Sequence, residues 1–152
     1  MQPALSAEAR AALDKQLWAA AGKGDAAAIE RLAAEGASPD AKGGWNDAPA
    51  VVWAADGGHA GAVSALVRLG ADLDARDSDG ETALMRAADN GRVECARALL
   101  AGGADRTVRA TSGNHEGKTA LEIAEARGNA ATSALLRKST AQIKEQCCCV
   151  IA

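Results

Sequence analysis

Four cysteines and two histidines carry most of the chemistry this chain could perform. Three of the cysteines stand together as Cys147, Cys148 and Cys149, with only Val150, Ile151 and Ala152 beyond them. Exposed thiols there are nucleophiles for alkylation or acylation, oxidation-prone groups, or metal ligands if partnered. No histidine or second cysteine pair accompanies them, so their spacing does not compose a metal site. His59 and His115 lie far apart, with no Cys, Asp or Glu at a recognised metal spacing, and no serine stands in a nucleophile-elbow pattern. The glycines of "GKGD" and "DGGH" close helical patterns instead of opening a phosphate-binding turn after a strand. Catalysis, a metal and a cofactor are therefore not expected. Cys95 falls at an apolar helical position and reads as a small core residue.

The elements that hold these residues repeat. A glycine closes a helical pattern at Gly24, Gly58, Gly91 and Gly128, at spacings of 34, 33 and 37 residues. A Gly-Ala pair ends the next pattern at Gly36-Ala37, Gly70-Ala71 and Gly103-Ala104. Each unit is a pair of short helices whose apolar positions, such as Leu84, Ala87 and Ala88 then Cys95, Leu99 and Leu100, cannot be covered within the unit. Stacking of neighbouring units must bury them. Apolar residues make up 48% of the chain but aromatics only 2%, with no Phe or Tyr, so alanine is expected to let helices approach closely. Gly70 and Gly103 supply the left-handed residue that stops a helix, Ser6 is a candidate N-cap, and Asp77 and Thr82 can bond the backbone of their own turn.

These signals resemble the ankyrin repeat family over roughly Leu13 to Leu136. The third unit carries Asp77, Gly80, Thr82-Ala83-Leu84, Ala87-Ala88 and Gly91 in the family's register, and the fourth keeps Gly117, Thr119-Ala120-Leu121, Ala124 and Gly128. The second departs from it: Asp47 stands for a glycine and Pro49-Ala50-Val51 for Thr-Pro-Leu. The resemblance implies an all-α solenoid of helix-turn-helix units with β-turn fingers. Residues 1–136 would form it, with repeats at about 13–43, 44–76, 77–109 and 114–137, leaving 137–152 as a terminal helix and tail.

In that family, partners meet the finger tips and the exposed ends of the inner helices. At matching positions the tips are Trp45 and Asn46, then Ser78, Asp79 and Glu81, then His115, Glu116 and Lys118. The helix ends are Lys23, Asp56, Asp89, Asn90 and Arg127. Asp56, Asp79, Glu81 and Asp89 make this an acidic face, either a solvated surface or the complement of a basic protein partner. Trp45 has little core to occupy, so it either meets a partner or folds back through its flexible Gly43-Gly44 and Asn46-Asp47 neighbours. Trp18 and Trp53 lie in inner-helix patterns and are expected to pack there. The longer connection from Arg106 to Thr119 reads as a recognition or phosphorylation loop, or as a tolerated insertion.

Cys149-Val150-Ile151-Ala152 resembles the Cys-aliphatic-aliphatic-X prenylation signal, with the final alanine favouring farnesyl. The resemblance implies a thioether at Cys149, removal of the last three residues and methylation. Cys147 and Cys148 are the sites for palmitoyl, since one lipid binds membranes only marginally and Arg137, Lys138 and Lys144 make a weak basic patch. No apolar run approaches the ~18 residues that cross a bilayer, and a net charge of −3 gives no general affinity for nucleic acid. The expectation is a monomeric, non-enzymatic adaptor that holds a protein partner at the cytosolic face of a membrane, with a cytoplasmic pool. The alternative is a soluble or transiently membrane-associated inhibitor or regulatory subunit of an enzyme.

Overall fold

Short runs of alanine, leucine and valine between capping residues give eight α-helices among the residues that the computed structural model describes, 4–138 and 142–143. They are α1 (Ala7–Lys23), α2 (Ala26–Ala34), α3 (Ala50–Asp56), α4 (Ala60–Arg68), α5 (Ala83–Asp89), α6 (Val93–Ala101), α7 (Ala120–Arg127) and α8 (Ala130–Arg137). The three cysteines of the tail, and most of the terminal helix expected after Arg137, lie outside the described residues; Ile143 is buried. The odd-numbered helices touch one another in sequence as an inner layer, the even-numbered ones form an outer layer, and each hairpin pairs one of each. This is an all-α solenoid, as the periodicity predicts.

Local chemistry sets the helix ends. Ser6 caps α1 through its hydroxyl, which accepts from the Ala9 amide at 3.1 Å, so the first helix begins well before the repeat-like pattern at Leu13. Thr82 caps α5, and Thr119 with Glu122 forms a capping box on α7. Gly70 and Gly103 follow α4 and α6 at φ 79° and 95°, the left-handed conformation expected of them. In the second unit Asp47 takes the glycine's place at φ 48°, and Pro49 begins α3 without a side-chain cap bond. Asx residues tolerate that conformation. Between α2 and α3 the finger is a minimal antiparallel pair, β1 (Lys42–Gly43) and β2 (Ala48–Pro49).

The core is continuous along the stack. Leu17, Ile29, Leu66, Leu84, Leu99, Leu100 and Ile123 are essentially inaccessible, as are Ala21, Ala54, Ala55, Ala87, Ala88 and Ala124 on the inner helices. Alanine at those sites lets neighbouring inner helices touch, which is what the scarcity of large side chains requires.

Three polar ladders fix how each unit sits on the next. The Asp40 carboxylate accepts the Asp72 amide at 2.7 Å, and the Asp74 carboxylate accepts the Asp105 amide at 2.8 Å. At the inner-helix ends the Asn90 amide group donates to Asp56, Asn129 donates to the Ala88 carbonyl at 2.6 Å, and the His59 ring meets the Gly22 carbonyl at 3.1 Å. The fingers join edge to edge, Ser78 N–H to the Asn46 carbonyl and Thr111 N–H to the Asp79 carbonyl.

Leu99→Ala empties a site at the contact of α6 with its neighbours and is expected to cost about 2–5 kcal/mol. Urea unfolding followed by far-ultraviolet circular dichroism checks this; a loss below about 1 kcal/mol would mean the stack collapses around the void.

Candidate interaction site

The second finger rests on two tryptophans. Trp18 of α1 and Trp53 of α3 stack with ring centroids 6.0 Å apart and planes 28° apart, each half-buried. The finger backbone lies against both rings, over Trp18 and along the edge of Trp53. A Cβ at Gly43 would sit 2.2 Å from the Trp18 indole and one at Gly44 2.3 Å from the Trp53 ring, so only glycine permits this approach. The Trp53 indole N–H donates to the Gly43 carbonyl at 3.1 Å and ties strand to helix. Packing is therefore the role of Trp18 and Trp53, as expected, and the same arrangement leaves Trp45 at the tip 83% exposed. Of the two fates open to Trp45, folding back onto the protein is excluded.

Asn46, Glu81 and His115, expected on the exposed tips, are instead buried, at 5%, 4% and 8% exposure. The reason is a charged cluster between fingers. The Asp77 carboxylate accepts the amides of Asp79 and Glu81 through one oxygen; through the other it accepts Asn46 Nδ2 at 3.3 Å and the Arg86 guanidinium at 2.9 Å. Arg86 Nε lies 2.8 Å from Glu81 Oε2, an ion contact without hydrogen-bond alignment, since that oxygen lacks a hydrogen-bond donor. Glu81 Oε1 meets His115 Nδ1 at 2.7 Å, and His115 Nε2 lies 3.3 Å from Asp89, which also accepts from Arg127. Burial works against the Arg86 charge but is outweighed by the hydrogen bond to Asp77 and the fields of Glu81, Asp77 and Asp56, so its pKa lies above the ordinary arginine value.

The acidic face is thus partly neutralised from within. Glu81 and Asp89 are spent on Arg86, His115 and Arg127, and Asp79 is half-buried, accepting from the Ser112 hydroxyl at 3.1 Å. Asp56 stays exposed, bonded to the neutral Asn90 amide. Ser78, Asn90, Glu116, Lys23 and Arg127 are exposed and Lys118 half-exposed. The long connection is a strut: Gly113–His115 forms a 3₁₀ turn that carries His115 into the cluster, while Arg109 holds the Gly117 carbonyl and Glu122. Its Ser112 and Thr111 bond Asp79 of the preceding finger.

Arg86 is the residue that sequence reasoning missed. It stands five positions after Glu81, across the start of α5, a spacing that helix side-chain rules do not pair. The structure brings Trp45, Asn46, Trp53, Asp56 and Arg86 around one shallow recess, whereas Lys118 and Glu116 belong to the last finger. On the other layer a groove of about 470 Å³ runs between α4 and α6, floored by Ala60, Val67, Ala98 and Ala101. Among the described residues no group of three or more His, Cys, Asp or Glu side chains is arranged to hold a metal ion, and no helix is long and apolar enough to cross a membrane.

Removing the cation of the cluster exposes what it does. Arg86→Met leaves Asp77 and Glu81 buried without their counter-ion and is expected to cost about 3–5 kcal/mol in urea unfolding, whereas Arg127→Met, which removes a solvent-exposed guanidinium and leaves Asp89 beside His115, should cost under about 1 kcal/mol. Equal costs would overturn this assignment. Cys95 is 1% exposed, and burial pushes its thiol pKa up, with Arg92 opposing and Glu94 adding. A raised folded value means its stabilising contribution is complete below the unfolded thiol's pKa and is lost as pH rises through the folded one. Cys95 should therefore resist iodoacetamide at about pH 8 until urea unfolds the chain, which peptide mass spectrometry can read.

No curated protein sequence matches the chain. Residues 17–110 match the family model for ankyrin repeats, in three copies, which is well over half of the sequence. With paired helices in two layers, fingers joined edge to edge and glycine-closed inner helices, the chain belongs to the ankyrin repeat family.

Proposed function

We propose that this ankyrin domain is a non-enzymatic interaction module that captures a protein partner on its finger face, and that lipid at Cys149 holds it at the cytosolic side of a membrane. Ankyrin repeats are protein interaction modules, and the observation that carries the choice of face is Trp45. An indole left 83% exposed on a finger fixed by two underlying tryptophans serves no packing purpose in the chain itself. Fixed, exposed aromatics are the side chains that dominate binding energies, because little conformational freedom is lost when a partner covers them. Ser78, Asp56, Asn90, Glu116 and Arg127 offer a polar rim around the same face.

The anchor rests on the order of residues in Cys149-Val150-Ile151-Ala152. Cys147 and Cys148 provide the second, reversible signal that a single isoprenoid needs for stable attachment. Acylation and deacylation there would set how long the module stays at the membrane.

Two substitutions separate the halves of this reading in a eukaryotic cell. Cys149→Ser should move the protein from the membrane to the soluble fraction and remove the farnesyl mass, leaving partner cross-linking through the finger face intact in lysate. Trp45→Ala should leave fractionation unchanged and reduce partner cross-linking at least about tenfold, the effect of losing a tryptophan hot spot. An unmodified, soluble wild-type protein would remove the anchor; undiminished cross-linking by Trp45→Ala would remove the finger face.

A further inference from the structure

The recess beside Trp45 is selective in charge and small in size. It holds about 30 Å³, the room of a single small head group, between the Trp45 and Trp53 indoles, Asn46, Asp56 and Arg86. The Trp53 N–H is already given to the Gly43 carbonyl and one face of its ring to Trp18, so what this ring offers is the face turned away from Trp18. Asp56 has no ion-pair partner among the described residues; it accepts only the uncharged Asn90 amide.

Asn46 adds an independent sign. Its Nδ2 donates to the Asp77 carboxylate, an acceptor-only group, which fixes the amide so that Oδ1 is the atom left over. That buried oxygen has no donor. An orphaned acceptor of this kind is costly in a closed fold and marks a place where a donor is missing. The cation at the recess, Arg86, is itself held by Asp77 and Glu81. Around it Asp56, Asp77, Glu81 and Asp89 set four carboxylates against the two guanidiniums of Arg86 and Arg127, so the field behind the recess is negative.

We propose that this recess takes the primary ammonium of a lysine side chain presented by the protein partner, an inference that rests on the finger face being the partner-binding face. The ammonium lies against the indoles of Trp45 and Trp53, pairs with the free oxygen of Asp56, and brings the N–H donor that Asn46 lacks. A lysine fits better than an arginine because the space is small and Asp56 already spends one oxygen on Asn90, which removes the two-point pairing that favours a guanidinium. The aliphatic stem runs out over the exposed Trp45 ring.

The test uses the full chain and a fluorescein-labelled peptide of lysines spaced by glycine and serine, read by anisotropy at about 0.1 M ionic strength, where exposed charges remain partly screened. The lysine peptide should bind saturably, and acetylation of its lysines should abolish binding. Trp45→Ala and Asp56→Asn should each weaken it roughly three- to thirtyfold, the range of a cation–π contact. Glu94→Gln, the same charge change beside the α4–α6 groove, should leave it unchanged. Equal binding of the acetylated peptide, an equal loss in Glu94→Gln, or tighter binding of an arginine peptide would each overturn the assignment, as would no saturation up to about millimolar peptide. If the peptide fails while Trp45→Ala still loses its cellular partner, the recess falls and the finger face stands. If Trp45→Ala keeps that partner, both fall.

Discussion

No helical hairpin in this chain can cover its own apolar face, and everything else in the molecule follows from that shortage. Seven- to nine-residue helices from α2 onward, rich in alanine, gain little alone and depend on the next hairpin to exclude water. Burial is non-directional and would tolerate sliding of one hairpin over another. The aspartate and finger ladders supply the direction by placing a carboxylate or carbonyl against one backbone amide of the following unit, and the asparagine and histidine ladder by placing a side chain against an oxygen of the preceding one. Stability thus comes from area and register from hydrogen bonds.

The fingers obey the same division. In the second, two indoles give the hairpin a floor and glycines allow it to lie there, which leaves a single large side chain at the tip. In the third and fourth, the floor is polar: Arg86 holds Asp77 and Glu81, and His115, carried in by the long connection, stands between Glu81 and Asp89. The face therefore changes along the stack, aromatic and partly acidic at one end and internally compensated at the other. Recognition is expected to concentrate where charges and rings remain unspent.

Much of the fold was legible because the glycines that close helices and the alanines between them answer to local sterics, and sterics leave a period. Trp45 was half legible: its place on a finger tip could be read, but Gly43 and Gly44 left folding back open, and only the packing of the finger on Trp18 and Trp53 decides it. Asn46, Glu81 and His115 were misplaced because position on a finger does not reveal what the adjacent finger covers. Counting Asp56, Asp79, Glu81 and Asp89 as one acidic surface failed in a related way. Arg86 meets Glu81 and Arg127 meets Asp89 across element boundaries, while Asp56 and Asp79 meet only neutral partners, and pairing across elements leaves no mark in spacing. The ladder of Asp40 and Asp74 was not legible, because which amide meets each carboxylate depends on how one unit stacks on the next.

Confining every aromatic residue to Trp18, Trp45 and Trp53 has an optical consequence. With no tyrosine or phenylalanine anywhere, the near-ultraviolet absorbance and intrinsic emission of the whole molecule arise in its first two hairpins and the finger between them. The last two hairpins are spectroscopically dark. In a solenoid whose ends can loosen separately, emission and backbone dichroism therefore watch different parts of one chain, and their disagreement would measure how far its cooperativity extends.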